Sequence, residues 1–248
     1  MLRILNPNKN LIKPSAVLFD TDNTLYEYEP ANKKATKAVG EKLENLLGIN
    51  EEEFKNKYKQ AKKEIKEQLG KTASSHSRLL YFQRLLEILG LKAQLLIALD
   101  LEQTFWRTFL DNAPLFNGVR EIFNALKKEN IPIGIVTDLT SHIQLRKLTY
   151  FGLVDVFDAV VTSEEVGADK PDIKVFKLAL KKLNLISNRN IWMVGDNSHA
   201  DIYGGKKINA ITIQKIHRGV IIGTNEKEPD IIFDNFNHLN KYFSKCGK

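Results

Sequence analysis

Two carboxylates two residues apart, Asp20 and Asp22, close an apolar run in the segment Phe19-Asp20-Thr21-Asp22-Asn23-Thr24-Leu25. An isolated Asp-x-Asp is ordinary turn chemistry. Other segments of the chain change that reading. Val136-Thr137-Asp138 ends a second apolar run, Gly195-Asp196-Asn197-Ser198 ends another, Asp201 follows five residues after Asp196, and Lys170-Pro171 stands between them. Such a set suits phosphoryl transfer. A hard divalent cation such as Mg²⁺ takes oxygen ligands, which Asp20, Asp196 and the backbone carbonyl of Asp22 can supply. With the metal and Lys170 neutralising a phosphate dianion, the Asp20 carboxylate can attack phosphorus and form an aspartyl-phosphate. Asp22 can then protonate the leaving oxygen and activate the hydrolytic water. The Thr137 hydroxyl and nearby backbone N–H groups, that of Asp138 included, would hold the equatorial oxygens, where charge spreads in the transition state.

These residues work together only if the fold brings them to one edge. Apolar runs without polar alternation occur at Ala16–Phe19, 131–136, 160–161, 191–194 and 210–213. They read as strands of a parallel sheet covered on both faces. Helical spacing separates them, as in Val119, Ile122, Phe123 and Leu126, and again in Val175, Phe176, Ala179, Leu180 and Leu183. Strand and helix alternating in this way predict a doubly wound α/β domain, whose sites lie at the carboxyl ends of its strands. From about residue 30 to 110 only helical patterns appear, at 31–47, 51–69, 77–89 and 93–110, with Gly48, Gly70 and Gly90 as C-terminal stops. The expected organisation is an α/β core of residues 1–28 and 112–248 with a four-helix insertion at 29–111. Phe105, Trp106 and Phe109 read as the core of that bundle.

With 248 residues, 43% of them hydrophobic, the chain can bury a sizeable core. Its 37 Lys and Arg against 30 Asp and Glu leave a net charge of +7, spread along the chain. A small phosphorylated anion suits that balance, and nucleic acid is not expected as a partner because no face or helix gathers the basic residues. The mixed run of Lys and Glu between residues 51 and 67 reads as a solvated helix face. No apolar stretch approaches the roughly 20 residues of a membrane span, and residues 1–15 lack the apolar centre of an export signal. A single cysteine, Cys246, excludes an internal disulfide framework and fits a reducing cytoplasm.

Taken in order, Asp20-Thr21-Asp22-Asn23-Thr24, Thr137, Lys170-Pro171 and Gly195-Asp196 with Asp201 resemble the four motifs of the haloacid dehalogenase-like hydrolases, over about residues 15–243. The resemblance implies Asp20 as nucleophile, Asp22 as general acid and base, Thr137 and Lys170 as phosphate binders and Asp196 as a magnesium ligand. It also implies that Asp201, with Asn197, supports the metal site from behind. The helical insertion looks like that family's α-helical cap, as in phosphoglycolate phosphatase, and the Asp-Asn-Thr-Leu segment is similar to that of acylneuraminate-9-phosphatases and pyrimidine 5′-nucleotidases. Asp138 departs from the pattern, where relatives often carry Asn. Its extra charge is expected to turn away or pair, leaving only its backbone N–H for phosphate. Asp22 favours phosphoester over carbon–halogen chemistry, since an alkoxide needs a proton and a halide does not. The expected activity is Mg²⁺-dependent hydrolysis of a small phosphorylated sugar, sugar acid or nucleotide. The alternatives are a phosphomutase and a catalytically silent binding protein. In the segment joining the second and third inserted helices, His76 and Arg78 are candidates for substrate specificity, Arg as a bidentate grip on an anion. The competing reading places them on the solvated first turn of a helix capped by Ser74 or Ser75.

Overall fold

The computed structural model describes residues 1–185 and 190–247. The chain divides into two compact units, Met1–Tyr26 with Leu115–Lys248, and Glu27–Pro114.

The first unit is built on a seven-stranded sheet in the order β1-β7-β6-β5-β2-β3-β4. The strands are β1 (Leu2–Ile4), β2 (Ala16–Phe19), β3 (Ile133–Thr137), β4 (Ala159–Thr162), β5 (Ile191–Gly195), β6 (Ile211–Lys215) and β7 (Ile231–Phe233). All pairings are parallel except that of β1 with β7. β2 lies between β3 and β5, pairing Val17 with Ile133 on one side and with Trp192 on the other. The chain builds outward from β2 to β4, then returns past β2 to continue with β5, so β2 and β5 flank the point where the winding reverses. Doubly wound sheets place their sites at such a reversal, at the carboxyl ends of the strands. Every residue of β2, Ala-Val-Leu-Phe, is fully buried. Burial on both faces is what its uninterrupted apolar run requires.

In the second unit lie α1 (Tyr28–Leu47), α2 (Glu51–Leu69), α3 (Arg78–Ile88) and α4 (Leu95–Asp111). α1 packs on α4, α4 on α3 and α3 on α2. Gly48 and Gly70 end α1 and α2 at positive φ, and the Gly48 N–H returns to the Glu44 carbonyl. At Gly40 a Cβ would stand 2.8 Å from the Phe54 ring, so the small residue lets α2 approach α1. Phe105, Trp106 and Phe109 are buried and mutually in ring contact, which makes them bundle core. Lys55 pairs with Glu51 and Lys63 with Glu67, all on the exposed face of α2.

The sheet's own helices are α5 (Val119–Lys128), α6 (Ser141–Tyr150), the single turn α7 (Ser163–Val166), α8 (Ile173–Lys182), the single turn α9 (Gly204–Lys206) and α10 (Phe236–Phe243). α8 seals one face of the sheet through Val175, Phe176, Ala179 and Leu180 against Leu18, Val161 and Met193. The other face receives Phe123 of α5, edge-on to Phe19 at 5.1 Å, and Tyr242 and Phe243 of α10 on Trp192. An edge-on aromatic pair of this kind adds about 0.5–1.5 kcal/mol beyond its buried area. Among the described residues no helix is long and apolar enough to cross a membrane.

Candidate active site

The strand ends at the β2–β5 reversal bring together Asp20, Lys170, Asp196 and Asp201, with Thr137 at the end of neighbouring β3. Asp20 follows β2 directly and extends its ladder, donating its N–H to the Val194 carbonyl at 2.9 Å. The chain then turns sharply, with Asn23 at φ 61° and the Leu25 N–H bonded to the Thr21 carbonyl at 2.8 Å. Asn is among the few side chains that tolerate this left-handed backbone. Within the turn the Thr24 hydroxyl donates to Asp20 Oδ2 at 3.0 Å.

Lys170 is the hub. Its Nζ donates to Asp20 Oδ1 at 2.7 Å, to Asp201 Oδ1 at 2.7 Å and to the Val136 carbonyl at 3.0 Å. An ammonium has three protons, and each is used. Burial alone would lower its pKa, but the charges of Asp20 and Asp201 outweigh burial and hold the lysine well above its ordinary range. The loop carrying Lys170 is fastened by Asp138, whose Oδ1 accepts the Lys170 backbone N–H at 2.8 Å. This is the use the structure makes of the unexpected acid. It pairs with the backbone of the lysine loop, and burial raises its pKa against the pull of Lys170.

Asp196 follows β5, and its oxygen forms with those of Asp20 and Asp201 a cluster within 4.8 Å. Burial pushes Asp20 up to about 6 despite Lys170, and burial with the charges of Asp20 and Asp201 pushes Asp196 up to about 8. Carboxylates crowded in this way hold protons until a cation relieves them. Asp201 is already engaged at both oxygens, Oδ1 by Lys170 and Oδ2 by the Asn197 N–H at 3.0 Å. Gly195 is compulsory here, because a Cβ would fall 2.3 Å from the Asp201 carboxyl carbon. Residues 198–203 form a π-helical turn, capped by the Asn197 side chain on the N–H groups of His199 and Ala200 at 2.9 Å. That widened turn carries Asp201 back beneath Gly195, and such turns recur at functional sites.

Thr137 ends β3, its hydroxyl 2.9 Å from that of Thr21 and 2.6 Å from the Gln144 side-chain nitrogen, which donates to it. Gln144 is fully buried on α6. It was not among the candidates, and neither was Lys147 one turn later. Lys147 Nζ lies 2.7 and 3.0 Å from the two oxygens of Asp22, and the Tyr26 hydroxyl donates to Asp22 Oδ1. The Asp22 carboxylate is therefore outside the cluster formed by Asp20, Asp196 and Asp201. A signal for both residues exists in the sequence: Ile143, Gln144, Lys147 and Leu148 form the buried stripe of α6. Two polar residues stand in it where apolar ones suffice for packing.

The helical unit contains His76 and Arg78. The cap of α3 is Ser77, whose hydroxyl faces the Leu80 N–H, rather than Ser74 or Ser75. Arg78 is buried, not solvated. Its Nη1 donates to the His76 carbonyl at 2.8 Å, its Nη2 donates to the Tyr28 hydroxyl, and its guanidinium lies 5.3, 5.0 and 5.8 Å from the ring centres of Tyr81, Phe105 and Trp106. His76 closes the short 3₁₀ turn Ala73–His76 and contributes its carbonyl to that arrangement.

Residues 17–214 match the family model described as haloacid dehalogenase-like hydrolase. The chain is 38% identical over 200 residues to the ribulose-1,5-bisphosphate 5-phosphatase of Halopiger xanaduensis, covering 80% of this chain and 83% of that protein. It is 31% identical to the glyceraldehyde 3-phosphate phosphatase of Methanothermobacter thermautotrophicus, over 76% and 80% of the two chains. Among solved structures it resembles the HAD-hydrolase YfnB of Bacillus subtilis bound to magnesium, with a TM-score of 0.69 and 24% identity over 94% of this chain and 99% of that one.

Proposed function

Because the chain belongs to the haloacid dehalogenase-like hydrolases, we propose that it is a Mg²⁺-dependent phosphatase of small phosphorylated metabolites that works through an aspartyl-phosphate. The observation that carries the reading is the buried cluster of Asp20, Asp196 and Asp201 tied by Lys170 at the sheet reversal, with a second carboxylate, Asp22, two residues from the first. All-oxygen donors of this charge fit a hard cation. Asp20, Asp196 and the Asp22 backbone carbonyl would hold Mg²⁺, and Asp201, already bonded at both oxygens, would orient Lys170 and the Asn197 backbone around them. When bound, the metal supplies charge that offsets the approach of a phosphate to a carboxylate.

In this reading an Asp20 oxygen forms a bond to phosphorus as the bond to the leaving oxygen breaks, and the proton of Asp22 passes to that oxygen. A water then gives its proton to Asp22 and attacks the acyl phosphate, releasing orthophosphate and restoring both carboxyl groups. Thr137 accepts from Gln144, so its own proton can serve an equatorial oxygen, with the backbone N–H of Asp138 beside it. Lys170, its three protons engaged, contributes charge rather than a free donor.

The helical unit takes the part of a cap carrying specificity, acting through the segment that ends in His76 and Arg78, where Arg78 would fix the backbone that presents His76. Relatives that dephosphorylate ribulose 1,5-bisphosphate and glyceraldehyde 3-phosphate support a small sugar phosphate as substrate. The absence of a cysteine pair supports the cytoplasm as its place. A screen of sugar, sugar-acid and nucleotide phosphates for phosphate release tests the reading. Release should require Mg²⁺, stop in chelator and fail with Ca²⁺, whose looser and longer coordination does not suit an in-line transfer. Full release in excess chelator would sink the metal assignment.

A further inference from the structure

Lys147, a contact partner of the Asp22 carboxylate, lies outside the four motif segments. Lys147 is 1% exposed, on the stripe of α6 that faces the sheet, yet its ammonium reaches both oxygens of Asp22. Burying an ammonium is costly unless a counter-charge meets it, and an apolar side chain at this position would pack α6 at least as well. Tyr26, four residues after Asp22, adds its hydroxyl to Oδ1, and Lys147 Nζ also lies 5.8 Å from the Tyr26 ring centre. A carboxylate offers about four lone-pair directions. Two contacts from Lys147 and one from Tyr26 occupy most of them, so the directions open to a substrate are few. The Asp22 side chain nevertheless keeps 33% of its surface exposed, so a substrate can reach it.

We propose that Lys147, assisted by Tyr26, is a positioning residue for Asp22, fixing the direction along which that carboxyl group passes its proton to the leaving oxygen. This rests on the reading of Asp22 as acid and base. Gln144, one turn earlier on α6, bonds Thr137 and Thr21, so one helix would hold both the phosphate-facing hydroxyl and the proton donor in register.

The test uses leaving groups, because an alkoxide needs the proton and 4-nitrophenolate does not. For Lys147→Met, kcat/KM should fall about 10- to 100-fold on an alkyl phosphate and change by less than about threefold on 4-nitrophenyl phosphate. Asp22→Asn is the benchmark: it should slow release of phosphate from the shared intermediate on both substrates, while its kcat/KM, which reports only the transfer to Asp20, should fall far more on the alkyl phosphate than on 4-nitrophenyl phosphate. Lys147→Arg should recover the alkyl rate to within about fivefold, and Tyr26→Phe should show the same selective loss in smaller measure. Equal losses of Lys147→Met on both substrates, or no loss on either, alongside a selective Asp22→Asn, overturn the positioning role. An unselective Asp22→Asn overturns instead the acid role on which it rests. If Lys147→Met does not fold, Tyr26→Phe decides by the same criterion.

Discussion

Two buried cations, Lys170 in the α/β unit and Arg78 in the helical unit, are stabilised in opposite ways. Lys170 meets two carboxylates and a carbonyl, while Arg78 meets three aromatic rings, a carbonyl and a phenol. The α/β unit concentrates full charges where three strand ends converge, an arrangement whose purpose is electrostatic. In the helical unit the charge is dispersed over π faces, which suits a residue that organises a bundle. Spacing in the sequence alone makes the two look alike, as single basic residues near helix starts.

Substituting on the α/β side should give the largest effect. Asp20→Asn should abolish phosphate release while leaving the fold intact, a loss of at least about 10³-fold, or about 4 kcal/mol in barrier. Residual activity within about tenfold of the parent would remove Asp20 from the role of nucleophile. Lys170→Met leaves Asp20 and Asp201 buried without their counter-charge and should destabilise by about 3–5 kcal/mol. In a chain of this size that is about 2–4 °C in Tm per kcal/mol, and calorimetry reads it directly.

On the helical side the expectation is smaller. Arg78→Met keeps the stem and loses the ring and hydrogen-bond contacts, which should cost about 1–3 kcal/mol in stability, with hydrolysis of 4-nitrophenyl phosphate by the folded protein unchanged. Undiminished Tm with a selective loss on the natural substrate would make Arg78 a ligand after all and erase the contrast with Lys170.

The metal should give the smallest shift and sharpen the electrostatic half of the comparison. Asp196, pushed up to about 8 by burial and its acidic neighbours, retains in the fold a proton that the unfolded chain loses near 3.8, so the metal-free protein loses stability as pH rises toward 8. Mg²⁺ competes with that proton. At ten times its pH 8 Kd it should add about 1.4 kcal/mol at pH 8, and the same concentration should raise Tm less at pH 6, where the proton competes. An equal rise at both would mean that the ion binds elsewhere.

The strands that carry the site are legible because β2, β3 and β5 are buried on both faces and so write uninterrupted apolar runs. β1 and β7 are not legible, since each has three residues at or next to an edge, and β1 alternates Leu-Arg-Ile with little burial. Strand β3 begins at Ile133 rather than 131, after Pro132, which has no N–H to give to a ladder. The carboxylates at strand ends are legible because a parallel topology places the carboxyl ends of β2 to β7 at one edge. Lys147, Gln144 and the cage around Arg78 are not, because their positions depend on helix register and on which side chains face them, and only the polar breaks in the stripe of α6 hint at two of them.

The central place of β2 also bears on how the chain is made. Val17 finds its first sheet partner at Ile133, which at about 5–20 residues per second emerges roughly 6–23 s later, and its second at Trp192 later still. The helical unit, residues 27–114, has been synthesised before either arrives. During synthesis the strand that leads into Asp20 waits as an apolar segment without its sheet partners while the helices that follow it in the chain close. The pairing of β2 with β3 and β5 then follows, set by long-range contacts and intrinsically slower than the local folding that precedes it.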